Sequence, residues 1–364
     1  MPNSPVDIWS FTKLYPDLEA DPPMHVTLQD VAKLAGVSAK TVSRVVNNQG
    51  ELSEATRQRV QAAIDQLDYR PNILARSLVN QRSNTLAVVA WGIDYYGPSC
   101  TMVGIEKRSD ELGYSLFLNL MGQPDQGGVD RILDSLVERR VEGIIWAVPE
   151  VGANRDWIDS ARLDRLPPIV FLSTQARSGL TTVSVNNRHG AIEVTQHLIA
   201  QGRRRIGLIT GPQAWWEARE RSAGWQEAMQ RACLNPDPAL VVGADWSAVS
   251  GALAMRTLLE RVPDIDAVFA CSDQIALGAL GVAHQSGRRV PQDLAIAGFD
   301  DTPESAFFWP PLTTVHQQLI DVGCIAVQNL HQIIEARPKR DPEVTLESTI
   351  LMPELVIRES SARH

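Results

Sequence analysis

Residues 26–47 read VTLQDVAKLAGVSAKTVSRVVN, and the order of caps, apolar positions and one glycine within them decides the first part of the fold. Thr27 is placed to cap a helix with its hydroxyl. Asp30 brings a negative charge to the helix N-terminus, and Leu28, Val31, Ala32 and Ala35 recur at i, i+3, i+4 and i+7. Gly36 ends that helix in a left-handed conformation that costs other residues strain. Ser38 then caps a second helix over about 39–46, with Val42, Val45 and Val46 turned inward and Lys40, Thr41 and Arg44 outward. Helix, glycine turn and second helix make a helix-turn-helix, the element that carries a recognition helix into the DNA major groove. A plain helical hairpin with solvated charges is the competing reading, and the agreement of caps, turn and outward cations argues against it.

Moving outward, Ser53 caps a third helix with Val60, Ala63, Ile64 and Leu67 as its inner stripe, and Tyr69-Arg70-Pro71 breaks it. So few apolar residues make a small core. Asn72 can cap a further run, Ile73 to Val79, that is well under the ~12 to 15 residues at which an isolated helix becomes marginally stable. It is therefore expected to be helical only when something holds it. Leu78 is placed there as an apolar wedge for a minor-groove base step and Arg76 as a phosphate contact. The alternative is a linker helix packed on its own domain.

The sequence resembles the lactose-repressor (LacI/GalR) family of transcription regulators. The resemblance rests on the opening block, on LSEATRQRVQAAIDQLDYRPNILARSLV at 52–79, GADWSAVSG at 243–251, SDQIALGAL at 272–280, GFDDTP at 298–303 and PPLTTVHQ at 310–317. It implies an effector-responsive, homodimeric DNA-binding protein over 26 to about 357. On that footing the DNA-contacting residues are Thr27, Ser38, Ala39, Lys40, Thr41, Arg44 and Asn47, with Asn72, Ala75, Arg76 and Leu78 from the hinge. Tetramers of the family carry a C-terminal leucine heptad, whereas here SSARH is all that follows LMPELVIRE, so a dimer is expected.

Charge fits a local contact with DNA. The 364-residue chain is −9 overall, yet between residues 24 and 84 Lys33, Lys40, Arg44, Arg57, Arg59, Arg70, Arg76 and Arg82 outnumber Asp30, Glu51, Glu54, Asp65 and Asp68. Useful affinity then needs two such domains acting together, which predicts a palindromic operator. Residues 1–24 hold Asp7, Asp17, Glu19 and Asp21 against Lys13 alone, the wrong charge for a leader, and are read as a disordered extension of a cytoplasmic protein. No apolar run approaches ~18 residues, so no membrane is expected. Cys100, Cys233, Cys271 and Cys324 are far apart, as reduced thiols would be, and the seven histidines are too dispersed for a metal site.

From Thr85 onward the pattern alternates between strand-like runs (TLAVVAW, SLFLNL, EGIIWAV, PIVFLS, RRIGLIT, DAVFA, LAIAGF) and amphipathic helices over 129–139, 189–201, 217–231, 251–261 and 274–286. This predicts parallel sheets with right-handed crossovers. There are too many strands for one sheet, so two doubly wound lobes are expected, with ligand at the carboxyl ends of the strands. The family has this periplasmic-binding-protein-like architecture. The expected organisation is an extension at 1–24, an all-α helix-turn-helix domain at 25–71 and a hinge and linker at 72–84. A two-lobed α/β effector and dimerisation domain occupies 85–358, and a tail 359–364. Within the effector domain the N-lobe takes about 85–185 plus 300–320 and the C-lobe about 186–299 plus 321–358.

Strand ends carry Trp91, Trp146 and Asp300, and loops carry Trp215, Trp216 and Trp246, in a chain only 6% aromatic. Indole faces stack on sugar rings, while Asp, Arg and Gln fork onto vicinal hydroxyls. A carbohydrate fits best, and the aromatic area favours a disaccharide or short oligosaccharide over one hexose. The resemblance implies that Arg221 grips sugar hydroxyls, Trp246 stacks, Asp300 accepts and Gln317 lines the pocket. Ser272 stands where several sugar-responsive relatives carry asparagine. The competing readings are a solvated Arg219/Arg221 to Glu217/Glu220 helix face, a core role for Trp225 and a turn cap for Asp301.

Adjacent Asp300 and Asp301 raise the thought of a glycosidase, but that chemistry needs two carboxyls flanking one bond, and sequence neighbours on an extended segment point apart. No G-x-S-x-G elbow or phosphate loop is present either, so no enzyme and no cofactor is expected. A transport solute-binding protein shares the two-lobed fold but needs export and lacks residues such as 26–79. A sugar-induced repressor of carbohydrate-utilisation genes is thus the expected function, with a corepressor-dependent or activating regulator as the alternative.

Overall fold

The computed structural model describes residues 26–46, 52–70, 82–123, 128–152, 154–337 and 348–362. The expected extension at 1–24 and hinge helix at 72–79 lie outside them, as do Asn47, Asn72, Ala75, Arg76 and Leu78. The chain forms two compact units, Met1–Arg82 and Ser83–His364.

In the first unit the helices are α1 (Leu28–Ala35), α2 (Ala39–Val46) and α3 (Glu54–Gln66). Thr27 and Asp30 form a reciprocal capping box, the Thr27 amide donating to Asp30 Oδ2 at 2.8 Å, which satisfies amides that the helix start leaves unpaired. Gly36 closes α1 at φ 64° and ψ 38°, and its N–H donates to the Ala32 carbonyl. The Thr41 amide donates to Ser38 Oγ at 3.1 Å and the Thr56 amide to Ser53 Oγ at 3.3 Å. Val31, Val42 and Val60, one from each helix, are wholly buried at the centre of the unit.

The second unit begins with β1 (Thr85–Ala90), α4 (Tyr96–Glu111), β2 (Ser115–Leu120), α5 (Val129–Glu138), β3 (Gly143–Ala147), α6 (Ser160–Leu163), β4 (Ile169–Leu172) and β5 (Thr181–Val185). There follow α7 (Asn187–Ala200), β6 (Ile206–Thr210), α8 (Trp216–Arg231), β7 (Val241–Gly243), α9 (Ala248–Arg261), β8 (Ala267–Ala270), α10 (Asp273–Gln285) and β9 (Ala295–Ala297). The unit finishes with β10 (Thr314–His316), α11 (Leu319–Ala336), β11 (Thr349–Leu351) and β12 (Glu354–Val356). One parallel sheet runs β11-β5-β4-β3-β1-β2 and a second β7-β6-β8-β9, while β10 and β12 pair antiparallel. β1 is apolar from Leu86 to Ala90 because both its faces are covered there. Leu86, Val88 and Ala90 pack with Ile105 of α4 and Val322, Ala326 and Leu330 of α11, while Ala87 and Val89 pack with Leu133 and Leu136 of α5.

The lobe boundaries differ from expectation beyond residue 300. Leu312 and Val315 sit in the second lobe's core, and Ala297 bridges to Thr313, so 300–316 belongs there. Residues 319–337 and 348–351 return to the first lobe instead: α11 covers the first sheet through Val322, Ala326, Val327, Leu330 and Ile334, and β11 extends that sheet beside β5. The reason is burial, since this apolar stripe matches the sheet face beside α4. Residues 359–362 are no loose tail either. Ser360 and Ser361 are fully buried, with Ser360 Oγ donating to the Ile296 carbonyl at 2.6 Å and Ser361 Oγ 2.8 Å from His197 Nε2.

Candidate effector cleft and DNA-reading surface

Between the lobes lies a cavity of about 1140 Å³, counted out to its open mouth, at the carboxyl ends of both sheets. This is where doubly wound folds bind ligands. Its wall includes Ala90, Ala147, Leu172 and Ser173 from the ends of β1, β3 and β4, and Tyr95, Tyr96 and Thr101 at the start of α4. The second lobe contributes Trp215, Trp216, Glu217, Arg221, Trp246, Ser272 and Asp300. Asn187, at the start of α7, and Gln317, just after β10, complete the polar side.

Arg221 is the centre of that polar side. It projects from α8 and is buried, with Nε donating to Asn187 Oδ1 at 2.8 Å and Nη1 donating to the Cys271 carbonyl at 2.5 Å and reaching Asp300 Oδ1 at 3.5 Å. Its guanidinium lies 3.8 Å from the centre of the Phe299 ring and 5.6 Å from that of Trp246, so apolar faces hold it in plane while its edge stays directed at the cleft. Gln317 Nε2 donates to Asp300 Oδ1 at 2.7 Å. Trp246, Asp300 and Asp301 all have positive φ, at 77°, 125° and 54°. Such backbone strain in non-glycine residues concentrates at binding sites. Trp246 also needs Gly211 beneath it, where a Cβ would stand 2.2 Å from the indole.

Burial pushes the Asp300 carboxyl up to about 7, against the pull of Arg221, and Asp273 up to about 6. A carboxyl raised in the folded state stabilises the fold below its ordinary range near pH 4, and that stability is lost as pH rises through 6 to 7. Between pH 5 and pH 8 the stability of Asp300→Asn is therefore expected to gain on that of the wild type by at most about 3 kcal/mol, read as a diverging thermal midpoint. Parallel melting curves across that range, with the two proteins shifting together, would show that Asp300 is ionised throughout.

The aromatic wall crosses between lobes. Trp215 packs edge-on against Trp246 at 5.7 Å, Trp91 at 5.3 Å and Tyr95 at 6.3 Å. Trp91 is not on the wall itself: it stands behind Trp215, with Nε1 donating to the Gly122 carbonyl at 3.3 Å. Trp146 is a correction. It is 1% exposed on β3 and packs against Trp157 at 4.8 Å, because the pleat turns it toward α5 and away from the cleft. Ser272 lines the cavity, but its Oγ already accepts the Ile275 amide at 3.2 Å as the cap of α10. Trp225 is core, as read. Asp301 faces elsewhere, 2.7 Å from Arg358 and 3.0 Å from His316, so the two neighbouring aspartates do not share one site. Sequence reasoning missed Tyr95, Tyr96, Asn187 and Glu217, and the adjacent tyrosines after the Trp91 loop were the available signal.

On the first unit, Thr27, Ser38 and Lys40 are exposed and Ala39, Thr41 and Arg44 partly so, with Val42 and Val45 of the same helix buried. Residues 27–72 match the family described as bacterial regulatory proteins, lacI family, and residues 195–361 match the periplasmic binding protein-like domain. The chain is 32% identical over 312 residues to the lactose operon repressor of Escherichia coli strain K12, covering 86% of each chain. The chain belongs to the LacI family. LacI-family members are DNA-binding transcription regulators, and this one has both of their parts. A crystal structure of the Lac repressor dimer bound to operator and the anti-inducer ONPF matches with a TM-score of 0.83 at 31% identity, over 93% of this chain and 99% of that one. A complex of the transcriptional regulator CelR with cellobiose matches at 0.66 and 33%, over 92% and 99%. No helix among the described residues is long and apolar enough to cross a membrane.

Proposed function

We propose that this LacI-family regulator is a cytoplasmic, homodimeric repressor of carbohydrate-utilisation genes, released from a palindromic operator by a sugar inducer. The observation that carries the sugar is the pairing of an indole wall, Trp215 and Trp246, with a hydrogen-bonded polar edge, Arg221, Asp300 and Gln317, in one cleft. Stacking surfaces beside fixed donors and acceptors suit a ring with apolar faces and hydroxyl rims. The CelR structure with cellobiose gives the reading a precedent among relatives. Nothing in this chemistry requires turnover, and the site binds without cutting.

A homodimer is supported by exposed apolar side chains in the second lobe: Val249 and Leu253 on α9, Leu277 on α10, and Phe307 and Trp309 after β9. DNA is read by Thr27, Ser38, Ala39, Lys40, Thr41 and Arg44, with residues 72–84 carrying the coupling between sugar and operator. A coupling of ~1 to 3 kcal/mol is enough to change occupancy substantially, and it is reciprocal.

The test is operator titration by fluorescence anisotropy at fixed salt, with and without sugar. Salt must be held because phosphate contacts dominate affinity. A sugar identified by thermal shift at ~100 times its dissociation constant, where about 2.7 kcal/mol of stabilisation is expected, should weaken operator binding about 5- to 150-fold. Tightening by the same ligand would establish a corepressor, and no change would remove the coupling.

A further inference from the structure

Glu217 stands in the first turn of α8, one helical turn before Arg221, and lines the cleft. Its Oε2 has no solvent contact and no hydrogen-bond partner. Ser173, at the end of β4 in the opposite lobe, reaches the same carboxyl group. Two guanidinium groups act on it: Arg221 on the cleft wall and Arg155 off it, the latter with Nε and Nη1 buried and without a hydrogen-bond partner. Arg221 holds Asn187, the Cys271 carbonyl and Asp300, and Arg155, 3% exposed, donates to the Val148 carbonyl at 2.5 Å. Burial, the largest influence on Glu217, pushes its proton affinity up.

A buried acceptor without a donor costs free energy that an incoming donor recovers. Among the described residues on the cleft wall, Arg221 is the only cation, against two carboxyl groups, Glu217 and Asp300. Arg177, further along this side, is taken by Glu150 at 2.7 Å. The cleft thus has an acceptor to offer a hydroxyl and no uncommitted cation to offer a phosphate. A phosphate group here would lose its water with one cation, already engaged, to face it.

We propose that Glu217 selects the effector: it accepts a hydroxyl from an uncharged sugar and excludes phosphorylated sugars from the cleft. This rests on the sugar-responsive reading above. Glu217 and Ser173 then clasp the ligand from the two lobes, so the group that chooses the ligand also senses closure.

Thermal shift and calorimetry on the full chain, with neutral sugars and their phosphate esters in matched pairs, test it. The pairs are ribose and ribose 5-phosphate, glucose and glucose 6-phosphate, sucrose and sucrose 6-phosphate, and trehalose and trehalose 6-phosphate, with cellobiose and lactose added as further neutral sugars. Stabilisation is expected from neutral sugars alone. Glu217→Gln, which replaces an acceptor oxygen with a donor, should weaken the best of them about tenfold or more, while operator affinity holds. Glu217→Asp, which withdraws the carboxyl but keeps it, should weaken the sugar and still exclude the ester. A phosphate ester binding as tightly as its parent sugar, or a Gln variant binding as the wild type does, overturns the role of Glu217. A panel in which no sugar of either kind binds removes the sugar reading itself.

Discussion

Arg221→Ala is expected to abolish the response to sugar, lowering effector affinity at least about 100-fold, the cost of removing one partner from a buried, hydrogen-bonded charge pair at the centre of a site. Four features fail together: the donors to Asn187 and Cys271, the partner of Asp300 and the cation against Phe299. Arg221→Lys should fare little better, because an ammonium cannot reproduce a planar fork with two faces. Operator affinity at fixed salt should be unaffected, since Arg221 belongs to the Ser83–His364 unit and the DNA-reading residues to Met1–Arg82. Parallel sugar and operator titrations separate these outcomes. An alanine variant that still releases operator at the wild-type sugar concentration would displace Arg221 from the site.

Gly278→Ala is expected to lower the thermal midpoint by about 5–10 °C, from about 3 kcal/mol of overpacking. A Cβ at this position would stand 2.0 Å from the Ala248 carbonyl oxygen and 2.6 Å from the Ala252 nitrogen, both backbone atoms of α9, which cannot swing aside as a side chain can. The two helices would have to part. Gly281→Ala, three residues along α10, meets nothing within 4 Å and should hold or raise the midpoint, since alanine outranks glycine in a helix by about 1 kcal/mol. Equal effects from the two substitutions would mean that α9 and α10 can separate freely. The same pair tests the dimer surface: Val249, Leu253 and Leu277 lie on these two helices, so Gly278→Ala should also weaken self-association.

Local chemistry was legible in the sequence and long-range closure was not. Thr27, Gly36, Ser38 and Ser53 each act on amides or carbonyls within a few residues, so caps and turn could be placed without knowing the rest of the fold. Arg221, Trp246, Asp300 and Gln317 were found because their motifs carried them, and the structure gathers them on one wall. Trp91 and Trp146 were placed beside them from strand-end position alone. Whether such a side chain faces ligand or core depends on the pleat and on which helix covers that face.

Glu217 was masked by a simpler pairing, because a glutamate four residues before an arginine reads as a solvated helix contact until α8 is seen to line a cavity. The lobe assignment beyond 300 failed for a similar reason. The stripe of α11 is apolar enough for either sheet, and only the vacant face beside α4 decides between them.

That late return of the chain has a consequence for synthesis. The three-helix unit has every residue of its core by Tyr69, so it can close while the remainder is still being translated. Neither lobe can. The first sheet lacks its cover until α11 and its edge until residues 349–351 emerge, and the second waits for Leu312, Val315 and Ser360. A nascent chain therefore carries a finished DNA reader before it has any means of sensing sugar, and the control arrives in one final folding step.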